Sequence, residues 1–428
     1  MARTICGLHS SHGTIGGVTL RNWAGNIVYS TDTLHAPTTV AELQHLVATS
    51  SGIHALGTGH SFNRIGDTTG DLVTLRDLRL PIEVDAATRT VTVPGGARYA
   101  AVTTELDRHG LALPNLGSLP HISVAGACAT GTHGSGDGNR CLAAAAVAVE
   151  FVRADGELVT VTRSDAAFAG SVLALGALGI VTRLTLAVEP AFQVRQDVWL
   201  DVPVDAVLAD LDAVMAAGYS VSLLSDASTP RLIDRLWIKT RGVDAPDGGR
   251  WGGRPADRPQ HPTAGNDPAA TTEQLGVAGP SHERLPHFRA AFTPSSGEEQ
   301  QSEYLVAREH GADAIAAVHG VDLRGVLQVA EFRTIAVDDL WLSPFHGRAA
   351  VGLHFTWFDD DAAVHEAVAA VERALTPYDP RPHWGKVFLA DPDAVQAHYP
   401  RLGDFRALAR RHDPNRVFGN DFLTRFVY

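Results

Sequence analysis

Apolar residues recur at helix and strand spacing along the first half of the chain. Thr39 and Glu42 form a capping box, and the apolar positions that follow predict a helix that ends by Gly52. A short strand is predicted over 53–56, and it leads directly into the glycine-rich segment 57–63. A further helix is predicted around 99–106, with strands at 72–75, 82–84, 90–93, 147–152, 158–161 and 178–188.

After Pro190 the pattern changes to strands and helices separated by longer connections. A helix is predicted over 204–217, and residues 242–270, rich in Gly, Pro and Asp, predict a long surface insertion. Further elements are strands at 221–224, 236–239, 326–332 and 349–355, and a helix at 362–375. These elements predict an α+β chain with a loose extension 1–17, domains 18–190 and 191–379, and a C-terminal segment 380–428.

Composition excludes several classes of protein. The 428 residues are 45% apolar and 19% charged, with a net charge of −13, which disfavours nucleic acid or an anionic membrane as the partner. No apolar run reaches the roughly 20 residues of a membrane helix, and the N-terminus lacks the pattern of a signal peptide. Cys6, Cys128 and Cys141 fit neither a disulfide framework nor a metal site, so we predict no bound metal and a cytoplasmic location.

Two glycine-rich segments, 57–63 and 130–136, are the first candidates for a functional site. Glycine permits positive φ and lets backbone amides approach a phosphate-bearing ligand closely. Neither segment carries the third glycine of the dinucleotide fingerprint, and Asn139 stands where the second segment would need it. The alternative that these glycines only form turns stays open on composition alone.

The segments 57–63 and 123–136 resemble the PCMH-type FAD-binding domain of the vanillyl-alcohol oxidase superfamily. Other segments follow in the same order as in the sugar-lactone and alditol (xylitol) oxidases of that superfamily, namely 22–26, 283–289, 292–297, 354–357 and 382–386. The resemblance implies a two-domain fold whose substrate domain contains a large antiparallel sheet. It also implies that 380–428 returns to the flavin site.

The resemblance implies that FAD is bonded covalently to His60 through the 8α carbon of its isoalloxazine ring. No cysteine lies near Ser118, where bicovalent members of the superfamily attach a second bond, so a single link is expected. Ile180 or Val181 would lie at the adenosine side. The other implied FAD contacts are Gly57, Thr58, Gly59, Ser61, Ser118, Ser123, Gly126, Thr130, Gly131, Thr132, His133 and His383.

The substrate side implied by the resemblance consists of Ser118, Glu331, Arg333, His354, Thr356 and Lys386. A polyol offers only hydroxyl groups, so buried donors and acceptors such as Ser118, Thr356 and Glu331 suit its recognition. His354 is the best candidate by residue type for the base that removes the hydroxyl proton. Arg333 and Lys386 would stabilise the negative charge that develops on the flavin.

Each of these residues has a plainer interpretation when it is taken alone. His354 has the pattern of a core histidine, and Lys386 by itself is a surface lysine. Glu331 and Arg333, two residues apart on one strand face, could form a structural salt bridge. Only their joint placement in the family's order favours one shared pocket.

The predicted activity is that of a monomeric oxidase. It would convert a terminal primary hydroxyl of xylitol, sorbitol or glycerol to the aldose and reduce O2 to H2O2. The nearest alternative is an aldonolactone oxidase or dehydrogenase on the same scaffold. Two others are a flavin- or carbohydrate-binding protein without turnover and a nicotinamide-dependent polyol dehydrogenase, which the missing fingerprint disfavours.

Overall fold

The computed structural model describes residues 19–226, 229, 231–292 and 297–428. The predicted extension 1–17, with Cys6, lies outside the described residues, and so do four residues of the segment 292–297. No helix in these described ranges is long and apolar enough to cross a bilayer.

The first half of the chain forms a small parallel sheet and a larger antiparallel sheet. The parallel sheet has the order β1-β3-β2, with β1 at Leu34–His35, β2 at Ile53–Ala55 and β3 at Asp71–Val73. The antiparallel sheet has the order β4-β5-β9-β7-β8, with strands at Glu83–Asp85, Thr90–Pro94, Ile180–Ala187, Ala146–Val152 and Leu158–Thr162. A two-residue pair joins β6, Leu111–Ala112, to β10, Glu189–Pro190.

The second half builds one large antiparallel sheet of nine strands within the described ranges. Its order is β14-β11-β13-β12-β17-β18-β16-β19, and β15 pairs with β11 at one edge. The strands are β11 Gln193–Pro203, β12 Ser220–Ser225, β13 Leu232–Arg241, β14 Arg254–Pro255, β15 Gly279–Pro280, β16 Glu299–Ala307, β17 Leu327–Ile335, β18 Ala350–Phe358 and β19 Arg381–Pro382. This sheet is the large antiparallel sheet expected in the second half, and the chain is α+β as predicted.

The helices cover the sheets and connect them. They are α1 Val40–Thr49, α2 Tyr99–Arg108, α3 Val124–Thr130, α4 Phe168–Ser171, α5 Val204–Ala209, α6 Leu211–Met215, α7 Gly311–His319, α8 Asp361–Leu375, α9 Pro392–Ala397, α10 Leu402–His412 and α11 Asp421–Phe426. The predicted capping box is present, since the Thr39 side chain accepts from the Glu42 N–H and the Glu42 side chain reaches back to Thr39. The last three helices pack into the core of the first half through residues such as Phe405 and Phe422.

One prediction about an individual element is wrong, and a second is refined. The helix predicted over 204–217 is broken into α5 and α6 at Asp210, whose φ of −138° and ψ of 34° are not helical. The insertion 242–270 is more than a surface loop, because β14 extends the large sheet within it and Trp251 is buried. Trp251 donates its indole N–H to Asp210 at 3.0 Å, so the insertion is anchored where the helix breaks.

Candidate active site

A single cavity of about 1570 Å³ lies between the glycine-rich segments and the large sheet. It is larger than the ~300–1,000 Å³ of a typical small-molecule pocket, so it has room for a dinucleotide together with a substrate. Nearly all predicted site residues line it. Those on the first-half side are Gly57, Thr58, Gly59, His60, Ser61, Ser118, Ser123, Gly126, Thr130, Thr132, His133 and Val181, and those on the other side are Glu331, Arg333, His354, Thr356, His383 and Lys386.

Two predicted residues, Ile180 and Gly131, do not line the cavity. Along β9, alternate residues face opposite sides, so Ile180 is buried in a hydrophobic core while Val181 faces the cavity. Gly131 ends α3 with a φ of +75°, and a Cβ there would lie 3.2 Å from both Leu173 and Pro344. Its role is therefore to end the helix, and of the two residues predicted for the adenosine side, Val181 faces the cavity.

Glycines in the cavity wall let neighbouring segments of the chain pack closely. A Cβ on Gly57 or Gly126 would lie 2.6 or 2.7 Å from the Ser123 Oγ. Gly95 and Gly96 also line the cavity, and a Cβ on either would meet backbone oxygen at 2.0 or 2.2 Å. Sequence analysis missed this glycine pair, although its position directly after β5 was a signal. A wall of bare backbone fits a ligand such as FAD that lies close to peptide groups.

His60 stacks on Trp23 with ring centroids 4.9 Å apart and 17° between the ring planes. Both of its ring nitrogens are buried without a hydrogen-bond partner in the described structure. Burial lowers the pKa of His60 to about 4, so the ring is neutral at pH 7. An oriented, neutral imidazole with free nitrogens in the cavity wall fits a residue that bonds to a flavin.

Glu331 is the first of two buried carboxylates on the sheet side of the cavity. Its Oε1 lies 2.8 Å from the His287 Nε2, while its Oε2 lies 3.6 Å from the His354 Nδ1 and 3.7 Å from the Arg333 Nε. Burial opposes ionisation, but Arg333 and His287 outweigh it and hold the pKa of Glu331 well below its usual value. The carboxylate is therefore an acceptor at pH 7.

Glu303 is the second carboxylate, and sequence analysis missed it. It is 1% exposed and contacts three side chains: the Lys386 Nζ at 2.7 Å, the Arg333 Nη2 at 3.1 Å and the His133 Nε2 at 3.1 Å. Burial would raise its pKa, but Lys386, His133 and Arg333 outweigh that effect and hold the pKa well below its usual value. Glu303 thus fixes both predicted cations in place.

The cations and His354 have complementary protonation states. Burial works against the charge of Arg333, but Glu331 and Glu303 outweigh it and raise its pKa. Burial, with help from Lys386, lowers the pKa of His354 to about 4, so its ring is neutral and can accept a proton. Its Nδ1 lies 3.6 Å from the Glu331 Oε2, so the two groups are close but not within hydrogen-bond distance.

The remaining predicted residues surround this group. The Ser118 hydroxyl accepts from the Arg333 Nη1 at 3.5 Å, and the backbone N–H of His383 donates to the Glu303 carbonyl at 2.9 Å. Thr356 lies opposite Gln301 on the neighbouring strand, two residues beyond the pair formed by Glu303 and His354. Residues 261–263 and Asn266 of the insertion also line the cavity.

Two family models match different parts of the chain. A family model for an FAD-binding domain matches residues 31–162, and one for D-arabinono-1,4-lactone oxidase matches residues 297–426. The chain is 51% identical over 407 residues to an alditol oxidase from Streptomyces sp. (strain IKD472 / FERM P-14339), which covers 94% of this chain and 97% of the relative.

More distant relatives share the same overall length. An L-gulono-1,4-lactone dehydrogenase from Mycobacterium tuberculosis is 29% identical over 95% of this chain and 98% of its own. The crystal structure of cholesterol oxidase from B. sterolicum superimposes with a TM-score of 0.77 at 15% identity, covering 97% of each chain, and this likeness shows the fold alone. Because it is 51% identical to the Streptomyces alditol oxidase and contains an FAD-binding domain, the chain belongs to the alditol oxidase family of FAD-dependent oxidoreductases.

Proposed function

We propose that this protein oxidises a terminal primary hydroxyl of an alditol to an aldehyde, in the reaction alditol + O2 → aldose + H2O2. Xylitol, sorbitol and glycerol are the candidate substrates. The observation that carries the proposal is a set of four charged groups that border one cavity with His60. They are two buried carboxylates, Glu331 and Glu303, and two cations, Arg333 and Lys386. A site for hydroxyl groups needs such fixed donors and acceptors.

When bound, FAD supplies the acceptor for the substrate hydride and passes the electrons on to O2. The chain's own residues bind and orient the alditol. Ser118, Glu331 and Thr356 would accept from or donate to its hydroxyl groups, and His354 would take the proton of the oxidised hydroxyl. Arg333 and Lys386 would lower the cost of the developing negative charge.

Anaerobic reduction of the flavin tests this activity directly. Xylitol added to the holoenzyme without O2 should bleach the visible flavin absorbance, and admission of air should restore it with formation of H2O2. An aldonolactone that bleaches the flavin faster than any polyol would overturn the assignment in favour of a lactone oxidase or dehydrogenase. Reoxidation by an artificial acceptor but not by O2 would exclude the oxidase.

We propose further that His60 carries the flavin covalently through the 8α carbon. The unpartnered ring nitrogens and the stacking on Trp23 support this attachment. After acid precipitation the yellow colour should stay with the protein, and in a His60→Ala variant it should move to the supernatant. Colour released from the unaltered protein would rule out the link.

The remaining proposals concern organisation and setting. We propose an FAD-binding domain at 18–190, a substrate domain at 191–379 and a returning segment at 380–428, supported by the packing of α9 to α11 on the first core. Cys128 and Cys141 are buried free thiols, which supports a reducing, cytoplasmic setting. A monomer is expected, and light scattering of the purified holoenzyme would check it.

A further inference from the structure

The chain has only two lysines, Lys239 and Lys386, among its 35 lysines and arginines. Arginine therefore provides nearly all of its positive charge, and both lysines lie at or next to the candidate site. Lys386 lines the cavity and is bound to Glu303, as described above. Lys239, on β13, is 1% exposed and does not line the cavity. Buried lysines are rare unless they are paired, so Lys239 calls for a physical explanation.

Lys239 forms three contacts, all with one short segment. Its Nζ lies 2.5 Å from the Leu285 carbonyl oxygen, 3.3 Å from the Pro286 carbonyl oxygen and 3.4 Å from the His287 Nδ1. An ammonium group has three N–H donors, and this segment offers three acceptors. The contacts therefore fit the protonated form of the side chain.

His287 connects this lysine to the site. Its Nε2 lies 2.8 Å from the Glu331 Oε1, and a carboxylate can only accept, so Nε2 carries the proton. Burial lowers the pKa of His287, which keeps the ring neutral and leaves Nδ1 as an acceptor for the Lys239 ammonium. One consistent direction of donation then runs from Lys239 to His287 to Glu331. We call these three residues the buried triad.

The two carboxylate oxygens of Glu331 have different surroundings. Oε1 is bound to His287, whereas Oε2 is more than 3.5 Å from its nearest partners, His354 and Arg333. Oε2 therefore keeps acceptor capacity for a ligand in the cavity. Without the donor on Oε1, the carboxylate would be free to turn towards Arg333 and lose this orientation.

The charge of Lys239 is also poised to change near neutrality. Burial lowers its pKa to about 7, while Glu331 opposes this shift and Arg333 adds to it. The other groups that face it are the ring of His287 and the uncharged strand partners Gln196 and Ser220. Arginine at this position would stay charged at every pH, whereas lysine lets the charge of the triad change near neutral pH.

We propose that Lys239 and His287 are positioning residues that hold Glu331 ionised and aim its Oε2 at a substrate hydroxyl that is not itself oxidised. This inference rests on the proposed alditol activity. Lys239 does not line the cavity, and His287 borders it but is bound through its Nε2 to Glu331. Their loss therefore weakens binding of the alditol more than it slows hydride transfer. The Michaelis constant for xylitol rises as pH increases and Lys239 loses its proton.

Steady-state kinetics of the holoenzyme separate positioning from a structural role. Lys239→Met and His287→Phe each raise KM for xylitol about tenfold or more, the loss expected for one hydrogen bond to a charged group, and change kcat less than about threefold. His287→Gln, whose amide can still donate to Glu331, keeps KM close to that of the unaltered enzyme. In Lys239→Met, KM no longer depends on pH across the range where it does in the unaltered enzyme.

The double variant tests whether the two residues act through one path. Lys239→Met combined with His287→Phe raises KM no more than the larger single effect, because both remove the same orientation of Glu331. Additive effects would overturn the proposal, as would a Lys239→Met enzyme whose KM is unchanged or whose kcat alone falls. Flavin absorbance and thermal unfolding confirm that each variant is folded and loaded.

A measurement without turnover distinguishes failure of the triad from failure of the alditol activity. In holoenzyme labelled with 13C at lysine Cε, only two lysine signals exist, and the one absent from Lys239→Met titrates well below the ~10.4 of a free lysine. Its midpoint shifts in His287→Phe. A signal that titrates like free lysine and ignores His287→Phe would overturn the triad, even if xylitol reduces the flavin. If no polyol reduces the flavin, the alditol activity fails, whatever the titration shows.

Discussion

At the scale of single residues, Glu303 is the most consequential side chain that the sequence did not reveal. It holds Lys386, Arg333 and His133 together at 2.7 to 3.1 Å and is itself only 1% exposed. Removing one partner of a buried ion pair typically costs about 3–5 kcal/mol, because the other charge is left uncompensated. Glu303 therefore supports both the fold and the proposed chemistry.

We expect Glu303→Gln to lower the free energy of unfolding by about 3 kcal/mol and to reduce kcat/KM for xylitol by at least about a hundredfold. Urea denaturation and steady-state kinetics measure the two effects. Asp322→Asn is the matched control, because it breaks an exposed pair with Arg324 and should change neither quantity measurably. A stable and fully active Glu303→Gln enzyme would show that the two cations do not need this carboxylate.

The depressed pKa values of Glu303 and Glu331 also predict the acid sensitivity of the protein. Each carboxylate is ionised more readily in the folded protein than in the unfolded chain. The stability they contribute is fully present above about pH 4.3, and it is lost as pH falls towards their folded values. Urea midpoints between pH 7 and 3 should fall more steeply for the unaltered protein than for Glu303→Gln. Parallel curves would contradict this assignment.

At the scale of elements, β17 and β18, which carry Glu331, Arg333, His354 and Thr356, were predicted, whereas the neighbouring site strand was missed. The strand β16 was not predicted, because its cavity-facing positions are Glu299, Gln301 and Glu303 rather than apolar residues. Polar residues at these positions predict an exposed loop, and only the fold shows that they face a cavity. Elements with ordinary apolar faces, such as α1, α2 and the β7–β8 hairpin, were predicted within a few residues.

The cross-strand register makes a prediction about substrate length. The pair Glu303 and His354 is followed two residues along by Gln301 and Thr356, about 6.7 Å away. A three-carbon polyol held at the first pair is too short to reach the second, whereas a six-carbon polyol is long enough. Gln301→Leu should therefore raise KM for sorbitol several-fold and leave KM for glycerol nearly unchanged. Equal effects on both substrates would show that Gln301 does not contact the far end of the polyol.

At the scale of the whole molecule, the C-terminal segment packs back against the first half of the chain. The C-terminal helices α9 to α11 complete the core of the first half, so residues from Ile65 onwards and the end of the sequence share one hydrophobic core. Neither composition nor periodicity could indicate this contact, because it joins segments more than 200 residues apart. The family resemblance did imply that 380–428 returns to the flavin site, although it did not identify the packing.

We expect Phe405→Ala, in α10, to destabilise the protein by about 3–5 kcal/mol, because this ring is fully buried in the shared core. Release of noncovalent contacts to the flavin should accompany unfolding, so flavin fluorescence and circular dichroism should report one midpoint. Phe358→Ala is the control for stability, since 52% of that side chain is exposed. A small loss in Phe405→Ala, with separate midpoints for the two probes, would show that the C-terminal helices are an independent unit.

The scarcity and burial of lysine have a consequence for an enzyme that releases reducing sugars. An aldose in its open form is an aldehyde, and aldehydes condense with the free primary amines of lysine to give Schiff bases. Lys239 is sealed in the interior and Lys386 opens into the cavity, so neither lysine offers an amine on the outer surface. Positive charge on the outside is carried by arginine instead. An enzyme without lysine amines on its outer surface can accumulate its aldose product with little glycation of surface lysines by that sugar.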